Sequence, residues 1–353
     1  MAPNANARVD ASSKFDATSG GGSGACDACT PIELAHDVFG PQGVVAAAGH
    51  VYWTNLDGTI TRCKLEECGR RSEVFYEDVD SQGVAYSLIA LAADDEFLYW
   101  GRIESLSRDI GSVVSCPLSG CKGGVKVLAR STMYGLIGDV AVYQDALFWT
   151  SYTSAPVHGA VSTCDKNNCE ATRRDIATGQ RDPVSIIASS RGVYWTNANA
   201  LIKCTTPRCT EPPELLVNGL ARPIGLAADD EYVYFAISHA GEIVRCKHEG
   251  CGRGPEVIAT GQSSPTQIVL DQDDVFWVNQ GANTRDGTVS RCRKNDCSPT
   301  VIATAQNGPI DIALIDDRVF WVNVGTKPKL DGGSAMMVRA SCRADASATE
   351  CGP

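Results

Sequence analysis

The apolar positions of this chain fall in short runs punctuated by turn residues. Between Pro223 and Ala259, the small aliphatic run Pro223-Ile224-Gly225-Leu226-Ala227-Ala228 is followed by Asp229-Asp230 and a second run from Tyr232 to Phe235. Gly241 opens a third run, Glu242 to Cys246, and Glu256 to Ala259 makes a fourth before Thr260-Gly261-Gln262 and Pro265 lead onward. Segments this short, bounded by Gly, Pro and Asp, read as β-strands.

The unit recurs. Its second strand carries a Val/Leu-aromatic-aromatic triplet at Val51-Tyr52-Trp53, Leu98-Tyr99-Trp100, Leu147-Phe148-Trp149, Val193-Tyr194-Trp195, Val233-Tyr234-Phe235, Val275-Phe276-Trp277 and Val319-Phe320-Trp321. Successive triplets begin 40 to 49 residues apart. Four short strands in a repeat of that length predict a propeller blade, with the small inner strand crowded against the axis. The expectation is an all-β, seven-bladed β-propeller of four-stranded blades over residues 25–353, behind a flexible Gly/Ser-rich tail at 1–24. The seventh repeat has a third strand near Met336 to Cys342 and then no fourth. At the other terminus, Cys29-Thr30-Pro31-Ile32-Glu33-Leu34-Ala35 matches Cys297-Ser298-Pro299-Thr300-Val301-Ile302-Ala303 in pattern, so residues 29–37 are expected to complete the last blade.

Tyr52-Trp53-Thr54-Asn55 and Tyr194-Trp195-Thr196-Asn197, each after an aliphatic strand, resemble the YWTD repeat of lipoprotein-receptor propellers. The frame is also similar to bacterial, myxobacterial-type cell-surface and lipoprotein propellers. The resemblance covers nearly everything after residue 25 and implies fold alone. The motif's Asp is replaced by Asn55, Asn197, Asn279 and Asn323, or by Gly101 and Ser151. The receptor family also closes with six blades, so its ligands are not carried over.

Cysteine usage adds the compartment. Third strands end at Cys63, Cys116, Cys164, Cys204, Cys246 and Cys292, with partners at Cys68, Cys121, Cys169, Cys209, Cys251 and Cys297. Zinc needs four ligands, and one such pair supplies two. Disulfides in the outer hairpins are expected, each closing a loop of about six residues and contributing about 2 kcal/mol in the chain-entropy account. For the terminal cysteines two pairings are open: Cys29–Cys342 with Cys26–Cys351, which position favours, or Cys26–Cys29 with Cys342–Cys351. This usage implies an oxidising compartment: extracellular, cell-surface or periplasmic. Met1 to Gly24 lacks the apolar core of an export signal, so the signal is expected to lie outside this chain, and a Gly/Ser tail would also suit a lipoprotein tether. No run is long enough to span a membrane. The absence of any Asn-x-Ser/Thr sequon favours a bacterial origin.

The net charge of −11, with no concentration of Lys and Arg, excludes a phosphate-backbone binder. Asp pairs such as Asp94-Asp95, Asp273-Asp274 and Asp316-Asp317 recur at one hairpin turn, where Asp serves the backbone. No G-x-S-x-G, H-E-x-x-H, P-loop or dinucleotide fingerprint is present.

Function is expected on the face holding the connections between second and third strands. From the last aromatic of each triplet to the next cysteine is 10, 16, 15, 9, 11, 15 and 21 residues, so blades two, three, six and seven carry the long loops. Loops are where function is grafted. They offer Arg102 and Arg108, Tyr152 and His158, Arg285 and Asp286, and Lys327 and Lys329, with His239 in blade five. The position before each inner aliphatic run is read as Gly43, Ser87, Asp139, Ser185, Gly225, Gln267 and Asp311, a polar ring at the channel mouth. Asp139, Gln267 and Asp311 are candidates there, holding water or a Ca2+ ion, with no other cofactor expected. The expected role is that of a monomeric recognition module for an envelope protein, peptide or glycan. A carbohydrate-active hydrolase or lyase, with His158 or His239 as base, is the first alternative. A structural module of an envelope assembly is the second.

Overall fold

The computed structural model describes residues 31–105, 109–131, 135–153, 159–205, 208–283, 285–325 and 333–339. The tail at 1–24 and Cys26, Cys29, Cys342 and Cys351 lie outside the described residues, and so does their pairing.

The strands form seven four-stranded antiparallel sheets. Six are continuous blades of consecutive strands. Blade one is Pro41–Ala47, His50–Asn55, Thr59–Lys64 and Glu73–Glu77; blade two is Ser87–Ala93, Phe97–Ser105, Ile110–Pro117 and Lys126–Arg130. Blade three is Leu136–Tyr143, Ala146–Tyr152, Gly159–Asp165 and Arg174–Gln180; blade four is Ile186–Ser189, Gly192–Thr196, Ala200–Cys204 and Glu214–Asn218. Blade five is Pro223–Ala228, Tyr232–Ile237, Glu242–Lys247 and Glu256–Ala259; blade six is Pro265–Leu270, Asp274–Asn279, Gly287–Arg293 and Thr300–Gln306. The remaining sheet is composite: Pro309–Ile315, Arg318–Asn323 and Gly333–Arg339 are joined at the outer edge by Ile32–Val38 from the other end of the chain. The expected seven-bladed ring, its last blade completed by residues 29–37, is corrected to six self-contained blades and a further sheet assembled from both ends, with Ile32–Val38 as its outer strand. The described disulfides sit in those six blades, each joining the two hairpin cysteines expected from the spacing.

The triplet has a simple packing logic. Neighbouring residues of a strand face opposite sides of its sheet. Tyr52 therefore joins the cluster of blade two, with Leu88 and Trp100, while Trp53 joins that of the composite sheet, with Phe320 and Val322. Phe320 and Trp321 divide in the same way, toward blade one and blade six. All six tryptophans are at most 1% exposed. Burying one side chain such as Phe320 contributes about 1.5–3 kcal/mol.

The indole also explains the Asn two residues later. Trp195 Nε1 donates to Gln180 Oε1 at 3.2 Å and Asn197 Nδ2 to the same oxygen at 3.4 Å. Trp277 and Asn279 do this to Gln262 (2.8 and 3.0 Å), and Trp321 and Asn323 to Gln306 (2.8 and 3.0 Å). Gln180 and Gln306 end the blade before, and Gln262 follows the last strand of its blade by three residues, so the motif's Trp and Asn clasp one blade to its predecessor. At blade two the acceptor is the Asp78 carboxylate, whose Oδ2 accepts from Trp100 Nε1 at 3.1 Å and whose Oδ1 accepts from Arg102 Nη1 at 2.9 Å.

The Asp-rich turns serve the backbone. Asp94 Oδ1 accepts from the amides of Glu96 and Phe97, and Asp229 Oδ1 from Glu231 and Tyr232. At blade six the cap is Asp271, upstream of the Asp273-Asp274 pair, accepting from both of their amides.

Candidate functional site

Six sheets contribute their inner strand, and blade four Val184 and Ser185 just ahead of its own, to one axial cavity of about 890 Å3. β-Bulges near the entrance of most inner strands turn residues toward the axis, as at Ile137/Val140, Ile224/Leu226 and Pro309/Asp311. The residue just before the inner-strand partner of each triplet's last aromatic is Gly43, Ala90, Asp139, Ser185, Gly225, Gln267 and Asp311. Ser87 is thus corrected to Ala90, whose φ of +50° marks the bulge that shifts the register in blade two.

This ring is mostly an inter-blade latch. Asp139 Oδ2 accepts from the Ile186 amide at 3.0 Å, Ser185 Oγ from Gly225 at 3.0 Å and Asp311 Oδ2 from Val44 at 2.7 Å, each in the following blade. Asp139 Oδ1 also accepts from the Val140 amide at 2.9 Å, and Gln267 Oε1 from Ile268 at 3.1 Å. The motif's Thr takes the amide behind the ring: Thr54 Oγ1 accepts from Gly43, Thr150 from Asp139 and Thr196 from Ser185. One such bond nets about 1 kcal/mol, and leaving the buried amide unmet costs more. Among the described residues, no three His, Cys, Asp or Glu side chains converge as a metal site requires.

Between the ring and the mouth the walls are largely aliphatic, from Ile89, Ile137, Ile224 and Ile310, with Gln42 and Thr266 at the same level in blades one and six. The rim above is polar and belongs to blades three to six: Tyr152, Asp182, Asn197, Arg222, His239 and Gln280. Burial, with the Asp182 and Asp109 carboxylates nearby, pushes the Tyr152 phenol up, so it remains a neutral donor at physiological pH. The links between blades are tied to the loops beside them: Ala198 N donates to Arg181 O at 2.8 Å, and Ser238 N to Arg222 O at 3.1 Å. His239 N reaches Ala221 O in the same way, at 3.3 Å.

Of the sequence candidates, Tyr152, His239, Asp139, Gln267 and Asp311 line this cavity. Arg102 is 5% exposed and lies between blades one and two, with Nη1 on Asp78, Nε on Ser112, Nη2 on Glu104 and its guanidinium 4.3 Å from the Tyr86 ring centroid. Arg285 and Asp286 belong to the blade-six loop away from the lining. There Asp286 Oδ2 holds the Ala282 and Asn283 amides, and these bonds keep its carboxyl below the usual range. Arg108, His158, Lys327 and Lys329 lie outside the described residues.

Asp182, Asn197, Arg222 and Gln280 escaped the sequence reading, which followed loop length. The described rim uses the short loops of blades four and five together with the links. A usable signal was present in the residue before each inner-strand proline, at Gly40-Pro41, Asp182-Pro183, Arg222-Pro223, Ser264-Pro265 and Gly308-Pro309. Here φ is +56° at Gly40, +71° at Gly135 before Leu136 and +69° at Gly308, the left-handed region that glycine enters freely. Asp182, Arg222 and Ser264 adopt it at +47°, +60° and +53°. A side chain held there costs about 1–3 kcal/mol.

No protein-family model matches the sequence, and no curated protein matches it. Solved structures do resemble the fold. A chain of the nidogen/laminin complex is similar over 69% of this chain and 89% of its own, at 19% identity and a TM-score of 0.52. A streptogramin B lyase is similar over 88% and 97%, at 13% identity and TM-score 0.64. The U3-55K structure is similar over 90% and 100%, at 11% identity and TM-score 0.66. At such identities the likeness shows the fold alone: the chain is a disulfide-bearing, all-β propeller.

Proposed function

We propose that this chain is an exported binding module that holds its ligand at the mouth of the axial cavity, against the rim of blades three to six. The observation that carries the reading is the cavity itself, of about 890 Å3, with aliphatic walls and a few polar groups on one side of its mouth. Ligand pockets have this size and division of labour. Six described hairpin disulfides support export to the cell surface or periplasm. Among the described residues no helix is long and apolar enough to cross a membrane. An envelope peptide, protein or glycan is the ligand range.

A thermal-shift series on oxidised protein with calcium, oligosaccharides and peptides tests this, beside an Ala221→Trp variant that plugs the exposed rim. A ligand selective for the folded state raises the melting temperature with its concentration. The reading expects a saturable shift that Ala221→Trp removes. A shift that survives the plug contradicts it.

Turnover at the same mouth is the second reading, favoured by His239 on the rim. It predicts that His239→Ala removes turnover and keeps binding. Among the described residues no carboxylate forms an ion pair with His239, so the oriented base that such chemistry needs is missing from this reading.

A further inference from the structure

Resting on the axial mouth as a ligand site, we propose that Arg222 and Asp182 are its specificity residues. The ligand they select is a peptide segment with an acidic and a basic group flanking an apolar side chain. The rim contains its own control. The same link position holds glycine ahead of blades one and three and the composite sheet, at Gly40, Gly135 and Gly308, all with positive φ. Ahead of blades four, five and six, side by side around the ring, it keeps Asp182, Arg222 and Ser264 in that same conformation. Glycine suffices for the link geometry, so the Asp182 and Arg222 side chains are not required by the turn itself.

Two further observations agree. Asp182 and Arg222 both line the cavity, in successive links, which sets opposite charges one blade apart on one rim. Neither forms an ion pair among the described residues, whereas the less exposed charges Arg102, Lys166 and Lys294 are matched by Asp78, Asp94 and Asp229. Below them the walls are aliphatic at Ile89, Ile137, Ile224 and Ile310. A neutral glycan would leave both rim charges without a counter-charge, although Gln42 and Thr266 in the wall could pair its hydroxyls. A peptide offers an apolar side chain for the walls and charged groups for the rim.

The test is an octapeptide array with a parallel oligosaccharide array, read with the oxidised full chain and its variants. Wild type is expected to retain peptides combining acidic, apolar and basic residues, and Ala221→Trp to lose them. Arg222→Gly should weaken the acid-bearing peptides by about tenfold or more, and Asp182→Gly the basic ones, as loss of a central charged contact does. Both glycine variants should melt above wild type. Arg222→Ala, which keeps a Cβ at positive φ, should lose affinity without that gain. Peptide binding that Ala221→Trp removes and both glycine variants leave unchanged would overturn the proposal and spare the cavity reading. Oligosaccharides retained in place of peptides would overturn the ligand class. Binding indifferent to Ala221→Trp would overturn both readings.

Discussion

Where blade six meets the composite sheet, Gln306 offers its Oε1 to Trp321 Nε1 and to Asn323 Nδ2, while its own Nε2 donates to Thr304 O at 2.8 Å. Where the composite sheet meets blade one, Trp53 and Asn55 present the same two groups, but Val38 stands in the place of the Gln. The register fixes the equivalence: Gln306 pairs with Gly287, Gln180 with Gly159 and Val38 with Gly333. Trp53 Nε1 is consequently buried without a hydrogen-bond partner, and Asn55 Nδ2 turns to Thr59 and Thr61. Blade five gives the contrasting case. Its triplet ends in Phe235, with Ile237 at the Asn position and Leu220 at the Gln position, and all three pack in one apolar cluster. A seam can be polar with its Trp and Asn donors paired or apolar and filled. The ring-closing seam is the one that mixes the two.

Gln306→Ala breaks the comparison most severely. It strands the buried Trp321 Nε1 and leaves Asn323 Nδ2 with Ser334 Oγ alone, so urea unfolding should lose about 1–3 kcal/mol. Wild-type stability in that variant would mean that the clasp is incidental. Val38→Gln is the reciprocal change. It supplies the missing acceptor to Trp53 and should gain about 1 kcal/mol or slightly less, since the Gln forfeits part of Val38's packing. A loss of stability would show that the register equivalence does not extend to side-chain reach.

Strands, triplets and six cysteine pairs were legible because each is local: a period of two, a two-residue turn and a fixed spacing. The use of a terminal strand to finish a sheet was also legible, since the strand's own pattern repeats that of Cys297 to Ala303. The channel ring was legible wherever the bulge keeps its usual offset. It failed at Ser87, where an extended second strand and the bulge at Ala90 move the equivalent residue by three positions. The Trp–Gln–Asn clasp was not legible because its members come from different blades and meet only across a seam. The rim was missed for a related reason. Loop length points to where chain has been inserted, whereas Asp182 and Arg222 occupy links of ordinary length and differ from their sister positions only in not being glycine. Aligning the repeats on the inner-strand proline would have exposed them.

Ligand held at the axial mouth by the rim of blades three to six shields the amides around it. Amide hydrogen exchange with and without the tightest octapeptide of the array tests it most directly, because exchange reports local opening segment by segment. Slowed exchange is expected at residues 181–185, 220–225, 238–240 and 280–281, with the outer strands and disulfide hairpins unchanged. Protection confined to those outer strands or hairpins would contradict it and would make the cavity a feature of the fold alone.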